Sequence, residues 1–147
     1  NFWGMALLFM KKLDNFSNCL AVLKSADFNF ADNNEIYRTG IIGQFNLTFE
    51  LAWKALQEIL KMHSVKGTAT GSPREILQLG YKVGFINDPP VWLLILKKHN
   101  MSIQIYNEDE IDEMLLLIRN SFIPAFTLLE ETLRKKLEEA ESYWNEV

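Results

Sequence analysis

One cysteine, Cys19, stands among 147 residues, so the chain cannot build a disulfide framework. The simplest compartment for such a chain is a reducing cytosol, and a cytoplasmic protein is expected. A basic excess is missing too. The 15 Lys and Arg against 19 Asp and Glu leave a net charge of -4 and a pI near 5.2. A large phosphate-binding face usually needs the opposite balance, so RNA is not the favoured partner. No run of about 18 apolar residues exists to span a bilayer, and no membrane partner is expected. The apolar start from Asn1 to Met10 has its lysines after it rather than before it and lacks a small-residue cleavage site, which argues against a signal peptide. Glycine-rich phosphate loops, paired Cys ligands and His-Glu-x-x-His are all absent. The chain therefore reads as unable to run nucleotide or metal chemistry alone, and neither a cofactor nor a metal is expected.

What is present fits one globular domain over residues 1–147: 48% of the residues are hydrophobic and 23% charged. Residues 1–9 are expected to be an extension, with Met5 or Met10 as the natural start. Four helix-start signals punctuate the chain. Ser72-Pro73-Arg74-Glu75 reads as a capping box with proline at the first helical position. Asp88-Pro89-Pro90 offers a second cap, and Asn107-Glu108-Asp109-Glu110 a third, with acid where the helix dipole is positive. Asp32-Asn33-Asn34-Glu35 is the fourth.

Between these starts the apolar period is helical. Ile42, Phe45, Phe49, Ala52, Leu56 and Leu60 recur every three or four residues and form one buried stripe. After Asn107 the stripe is Ile111, Leu115, Ile118, Phe122, Phe126, Leu129, Leu133 and Leu137, on the order of 45 Å of helix. Pro124 should kink it, because proline lacks a backbone donor and crowds the carbonyl four residues earlier. Five helices are predicted, over about 6–25, 33–63, 73–84, 89–99 and 108–142. Strand alternation is confined to Ile103-Gln104-Ile105-Tyr106, too short for a sheet. An all-α, up-and-down bundle follows, with two long helices and the rest shorter.

Several polar groups have two readings. His63 closes a helix beside Lys61 and Lys66, which suits a cation at a C-terminus. Lys97-Lys98-His99 and Arg134-Lys135-Lys136 are basic spots or ordinary solvated faces. Glu50 and Lys54 have the spacing of a surface pair. Trp53, one position off the stripe, either faces a partner or sits at the core boundary, while Trp92 and Phe85 read as core.

The stretch Arg38-Thr39-Gly40-Ile41-Ile42-Gly43-Gln44-Phe45-Asn46-Leu47-Thr48-Phe49-Glu50-Leu51-Ala52-Trp53-Lys54 resembles the signature of the nucleotidyltransferase substrate-binding protein family, a branch of the HEPN superfamily. Ser72-Pro73-Arg74-Glu75, Gly84-Phe85-Ile86, Trp92, His99-Asn100-Met101-Ser102 and Tyr106 follow in the family's order and spacing, so the similarity covers about Leu13 to Leu137. The resemblance implies a helical bundle, usually a homodimer, bound to a minimal nucleotidyltransferase. Many such pairs are two-component or toxin–antitoxin systems in which the HEPN protein is a ribonuclease. The ribonuclease motif is an arginine, four to six residues, then a histidine; in one branch a tyrosine two residues further accepts AMP. This sequence departs from that motif. Aligned on Asn100 and Tyr106, it places His99 at the arginine position and Gln104 at the histidine position, keeping only Tyr106. An amide at Gln104 cannot move a proton near neutral pH. The expectation is a non-catalytic subunit, with a divergent ribonuclease built on His99, Asn100 and Gln104 as the alternative. Tyr106 is the candidate modification acceptor, and Arg38, Glu50, Trp53 and Lys54 are candidate partner-binding residues.

Overall fold

A computed structural model describes residues 1–102 and 107–146, apart from the side chain of Trp144. Among these residues every regular element is helical. Helix α1 spans Phe2–Lys24, α2 Phe28–Ala31, α3 Glu35–Met62, α4 Pro73–Lys82, α5 Pro89–Met101, α6 Glu108–Leu117 and α7 Ile123–Glu146. A π-helical turn over Ile118–Phe122 joins α6 to α7. The five predicted helices are thus found with small shifts at their ends. The short α2, capped by Asp27, was not foreseen in the sequence. The alternating segment 103–106 lies outside the described residues.

The helix starts follow their capping chemistry with two corrections. Asn34 Oδ1 accepts the Tyr37 N–H at 2.8 Å, and Asn107 Oδ1 accepts that of Glu110 at 2.8 Å. Ser72 Oγ accepts from the Glu75 N–H at 3.3 Å, but the Ser72 N–H donates to Thr70 Oγ1, so only half of the expected capping box forms. Asp88 stands at the N-cap of α5 without making a side-chain cap bond. Its carboxyl is instead pushed above the ordinary carboxylate range by burial, against a smaller opposing effect of hydrogen bonds from the backbone and from Trp92.

The core lies along α3, against which α1, α4, α5, α6 and α7 all pack. Phe45 stacks on Phe122 with centroids 5.2 Å apart, while Phe126 meets Phe16 and Trp92 edge-on at 6.2 and 5.6 Å. Trp92 and Phe85 are buried as read from the sequence. Ala6 and Phe9 are buried as well, and α1 runs unbroken through the segment read as an extension. Gly80 lets α4 approach α3: a Cβ there would sit 2.9 Å from Leu56 Cδ2. At Pro124 the helix is accommodated by a widened turn. The Ile123 N–H reaches back to the Ile118 carbonyl, a five-residue step immediately before the ring that would crowd an ordinary α-turn.

Asp88 yields a pH-dependent prediction. A carboxyl whose folded pKa is raised favours the protonated protein, so its stabilising contribution is complete below the unfolded value of about 3.9. It is lost as pH rises through the folded value. Asp88→Asn removes this loss and can still accept from Trp92. Thermal melts should show the variant above wild type at pH 7 and level with it near pH 3; a variant less stable at pH 7 would contradict the assignment.

Candidate functional site

Asn46 and Glu50 are four residues apart on α3, so both side chains project from one face of that helix. His99, near the end of α5, inserts between them. Its Nε2 lies 3.0 Å from Glu50 Oε1 and its Nδ1 2.9 Å from Asn46 Oδ1. The imidazole packs at 4.8 Å against the ring of Phe49, which is fully buried.

Hydrogen-bond directions follow one from another. Ser102 Oγ donates its one proton to the His99 carbonyl at 2.8 Å, so it must accept from Asn46 Nδ2 at 2.9 Å. That turns the Asn46 oxygen toward His99, and Nδ1 is therefore the donor. Nε2 in turn faces the Glu50 carboxylate, an acceptor only. The other Glu50 oxygen accepts from Trp53 Nε1 at 3.1 Å and lies 4.0 Å from Lys54 Nζ. Lys54 in turn sits 5.9 Å above the Trp53 ring.

The structure therefore brings Glu50, Trp53, Lys54 and His99 into one cluster. Trp53 is buried, at 6% exposure, and shows its surroundings an indole N–H used by Glu50 rather than an open ring. Arg38 is not part of the cluster. Twelve residues earlier on α3, roughly 18 Å along the helix, it is buried and paired with Asp112 of α6. The hydrogen bond to Asp112 holds its guanidinium more firmly charged, against the opposing cost of burial. Asn100 is exposed on α5. Gln104 and Tyr106 lie outside the described residues.

Asn46 and Ser102 were quoted in the sequence motifs without a site role, yet they fix the orientation of His99. The i, i+4 spacing of Asn46 and Glu50 was the available signal. The basic spots are largely neutralised: Lys98 pairs with Glu113 at 3.2 Å, Arg134 with Asp14 at 3.0 Å and Lys136 with Glu139 at 3.3 Å. His63 does cap the C-terminus of α3, but it is not held as a cation. Partial desolvation and the charge of Lys136 lower its pKa below the ordinary value, with Glu139 acting the other way. Among the described residues no group of His, Cys, Asp and Glu is arranged to hold a metal, and no helix is long and apolar enough to cross a membrane.

The arrangement can clamp α5 to α3 and can hold a charged, half-exposed rim. It leaves no ring nitrogen of His99 open to a substrate. No curated protein matches the chain. A family model described as "Nucleotidyltransferase substrate binding protein like" matches residues 11–135, most of the chain and all of the residues around His99. The protein belongs to that nucleotidyltransferase substrate-binding family.

Proposed function

We propose that the chain is a non-catalytic HEPN-type binding subunit. In this reading it is an up-and-down helical bundle that forms a homodimer and docks a small nucleotidyltransferase, to which it presents a group for nucleotide transfer. The pair would act as a two-component or toxin–antitoxin-like system in the cytoplasm. The observation that carries the reading is the family match over residues 11–135, whose description names nucleotidyltransferase substrate binding.

The state of His99 favours binding over cleavage. A general base or acid needs a nitrogen free to exchange a proton with the reacting group. Both nitrogens of His99 are already engaged, by Asn46 and Glu50. The neighbouring lysines are of little help to the ribonuclease alternative, since Lys98 is tied to Glu113 and Lys54 leans on Glu50. The exposed edge of the cluster, formed by Glu50 and Lys54, offers a pair of opposite charges to a partner surface. Homodimerisation is supported by apolar side chains that α1 and α3 leave in solvent. Ile36 is 86% exposed, Val22 56% and Leu47 51%, with Gly40 and Gly43 open between Ile36 and Leu47 on α3. Such a face is usually covered.

Co-expression with a minimal nucleotidyltransferase tests the docking. The two should co-purify, and light scattering of the chain alone should give about twice its 17.1 kDa. A chain that stays alone in the presence of the enzyme contradicts the docking. RNA decay on induction that disappears in His99→Ala would replace the reading with the ribonuclease alternative.

Tyr106 is proposed as the acceptor group. Its phenolic oxygen would bond to the α-phosphorus of ATP as pyrophosphate leaves, its proton passing to the partner enzyme or water. Incubation with the partner, ATP and Mg²⁺ should then add one AMP to the intact mass, and Tyr106→Phe should abolish the addition. An addition that survives the substitution would remove Tyr106 from this role.

A further inference from the structure

A cavity of about 260 Å³ lies between α4 and α5. Its floor is apolar, made by the buried side chains of Leu77, Ile86 and Trp92. The two sides differ in chemistry. On α4 the spacing of Arg74, Gln78 and Tyr81, four and then three residues, puts three hydrogen-bond donors on one helix face. On α5 the wall is Pro89 and Leu93, which bring no polar side-chain atom. The donors are uncommitted: among the described residues, the side chains of Arg74, Gln78 and Tyr81 make no hydrogen bond or ion pair.

Backbone bonds and core packing hold these walls in place. The Gly80 carbonyl accepts the N–H groups of both Phe85 and Ile86, at 2.8 and 3.2 Å, which fixes the exit from α4. Gly84, at φ +87°, makes the turn that this closure requires. Gly80 also leaves room for the floor, since a Cβ there would stand 3.3 Å from Ile86 Cδ1. On the other side Pro89 starts α5 with a fixed φ, and Trp92 is set edge-on against Phe126 at 5.6 Å. The cavity is therefore preformed, as ligand pockets usually are.

We propose that this cavity binds a small organic acid, a monocarboxylate with an apolar tail. The guanidinium of Arg74 donates to the carboxylate as a bidentate fork, and the Gln78 amide and Tyr81 hydroxyl add donors from the same side. The tail lies along Pro89 and Leu93, over the apolar floor. Charge selects the head group. Among the described residues lining the cavity, Arg74 is the one charged side chain and no carboxylate opposes it. A monoanion is neutralised there, an ammonium is repelled, and a phosphate dianion keeps excess charge. Asp88, beside Pro89, is not a lining residue, and its carboxyl accepts from Trp92. The volume admits a ligand on the order of ten non-hydrogen atoms, which favours a free acid over the C-terminus of a peptide with the same head group. The site does not depend on the docking of a nucleotidyltransferase.

Three probes with one tail and different heads test it: 3-phenylpropanoate, 3-phenylpropan-1-ol and 3-phenylpropylamine, titrated at pH 7 into the isotope-labelled chain and followed by backbone amide shifts. The acid should saturate below about 10 mM. It should shift residues 74–81 and 86–93 and bind about 5-fold or more tightly than the alcohol or the amine. Arg74→Gln and Leu93→Glu change exposed side chains, so circular dichroism should show the fold intact. The first should bring the acid within about 2-fold of the alcohol, and the second, by placing a carboxylate in the apolar wall, should weaken the acid about 5-fold or more. An acid no tighter than the alcohol, shifts centred on another surface, or either variant binding the acid like wild type would overturn the proposal. N-acetyl-glycylglycylphenylalanine binding more tightly than the acid would also overturn it, in favour of a chain terminus. Because the chain is studied alone, these outcomes are independent of whether a partner enzyme co-purifies.

Discussion

Helix α3 has to bury a stripe of large side chains on one side and hold a row of polar groups on the other, and the rest of the molecule depends on that division. Phe45, Phe49, Leu56, Ile59 and Leu60 are fully buried, and each packs in the core to which α1, α4, α5 and α7 contribute. Interiors of this density allow little sliding, so each neighbour is held at a set position along α3. The polar row then determines what those neighbours bring together. Arg38 takes Asp112 from α6, Gln44 donates to the Cys19 carbonyl of α1 at 3.0 Å, and Asn46 with Glu50 takes His99 from α5.

This division explains why much of the architecture can be read from sequence. Apolar spacing of three and four residues finds the helices because the stripe on α3 and its counterpart through Phe122 and Phe126 must face each other. Proline and Asn signals locate the starts at Pro73, Pro89 and Glu108. Other features have no local signature. The four-residue α2 is too short to show a period, and it is held by Asp27 and by contacts distant in sequence, such as Phe30 against Tyr37 at 5.0 Å. The π-turn depends on how Pro124 is accommodated inside a packed helix, which spacing alone does not reveal.

The site was legible in part. The motif residues Glu50, Trp53, Lys54 and His99 do meet, but their direction of use is tertiary. Trp53 turns inward because its indole N–H finds Glu50, and Arg38 turns away toward Asp112 because α6 passes over the start of α3. Opposite charges at i and i+4, such as Glu50 and Lys54, look like a plain surface pair until α5 places an imidazole 3.0 Å from the same carboxylate. Asn46 and Ser102 form a hydrogen-bonded chain that orients that ring. A histidine held on both sides ties α5 to α3 at this point of the fold.

That view of His99 rests on its energetic coupling to α3, which a double-mutant cycle measures directly. Glu50→Ala, His99→Ala and the double variant should give a coupling of about 1 kcal/mol or more in unfolding free energy. Effects that simply add, within about 0.3 kcal/mol, would mean that His99 is not clamped and would return it to the pool of groups free for catalysis.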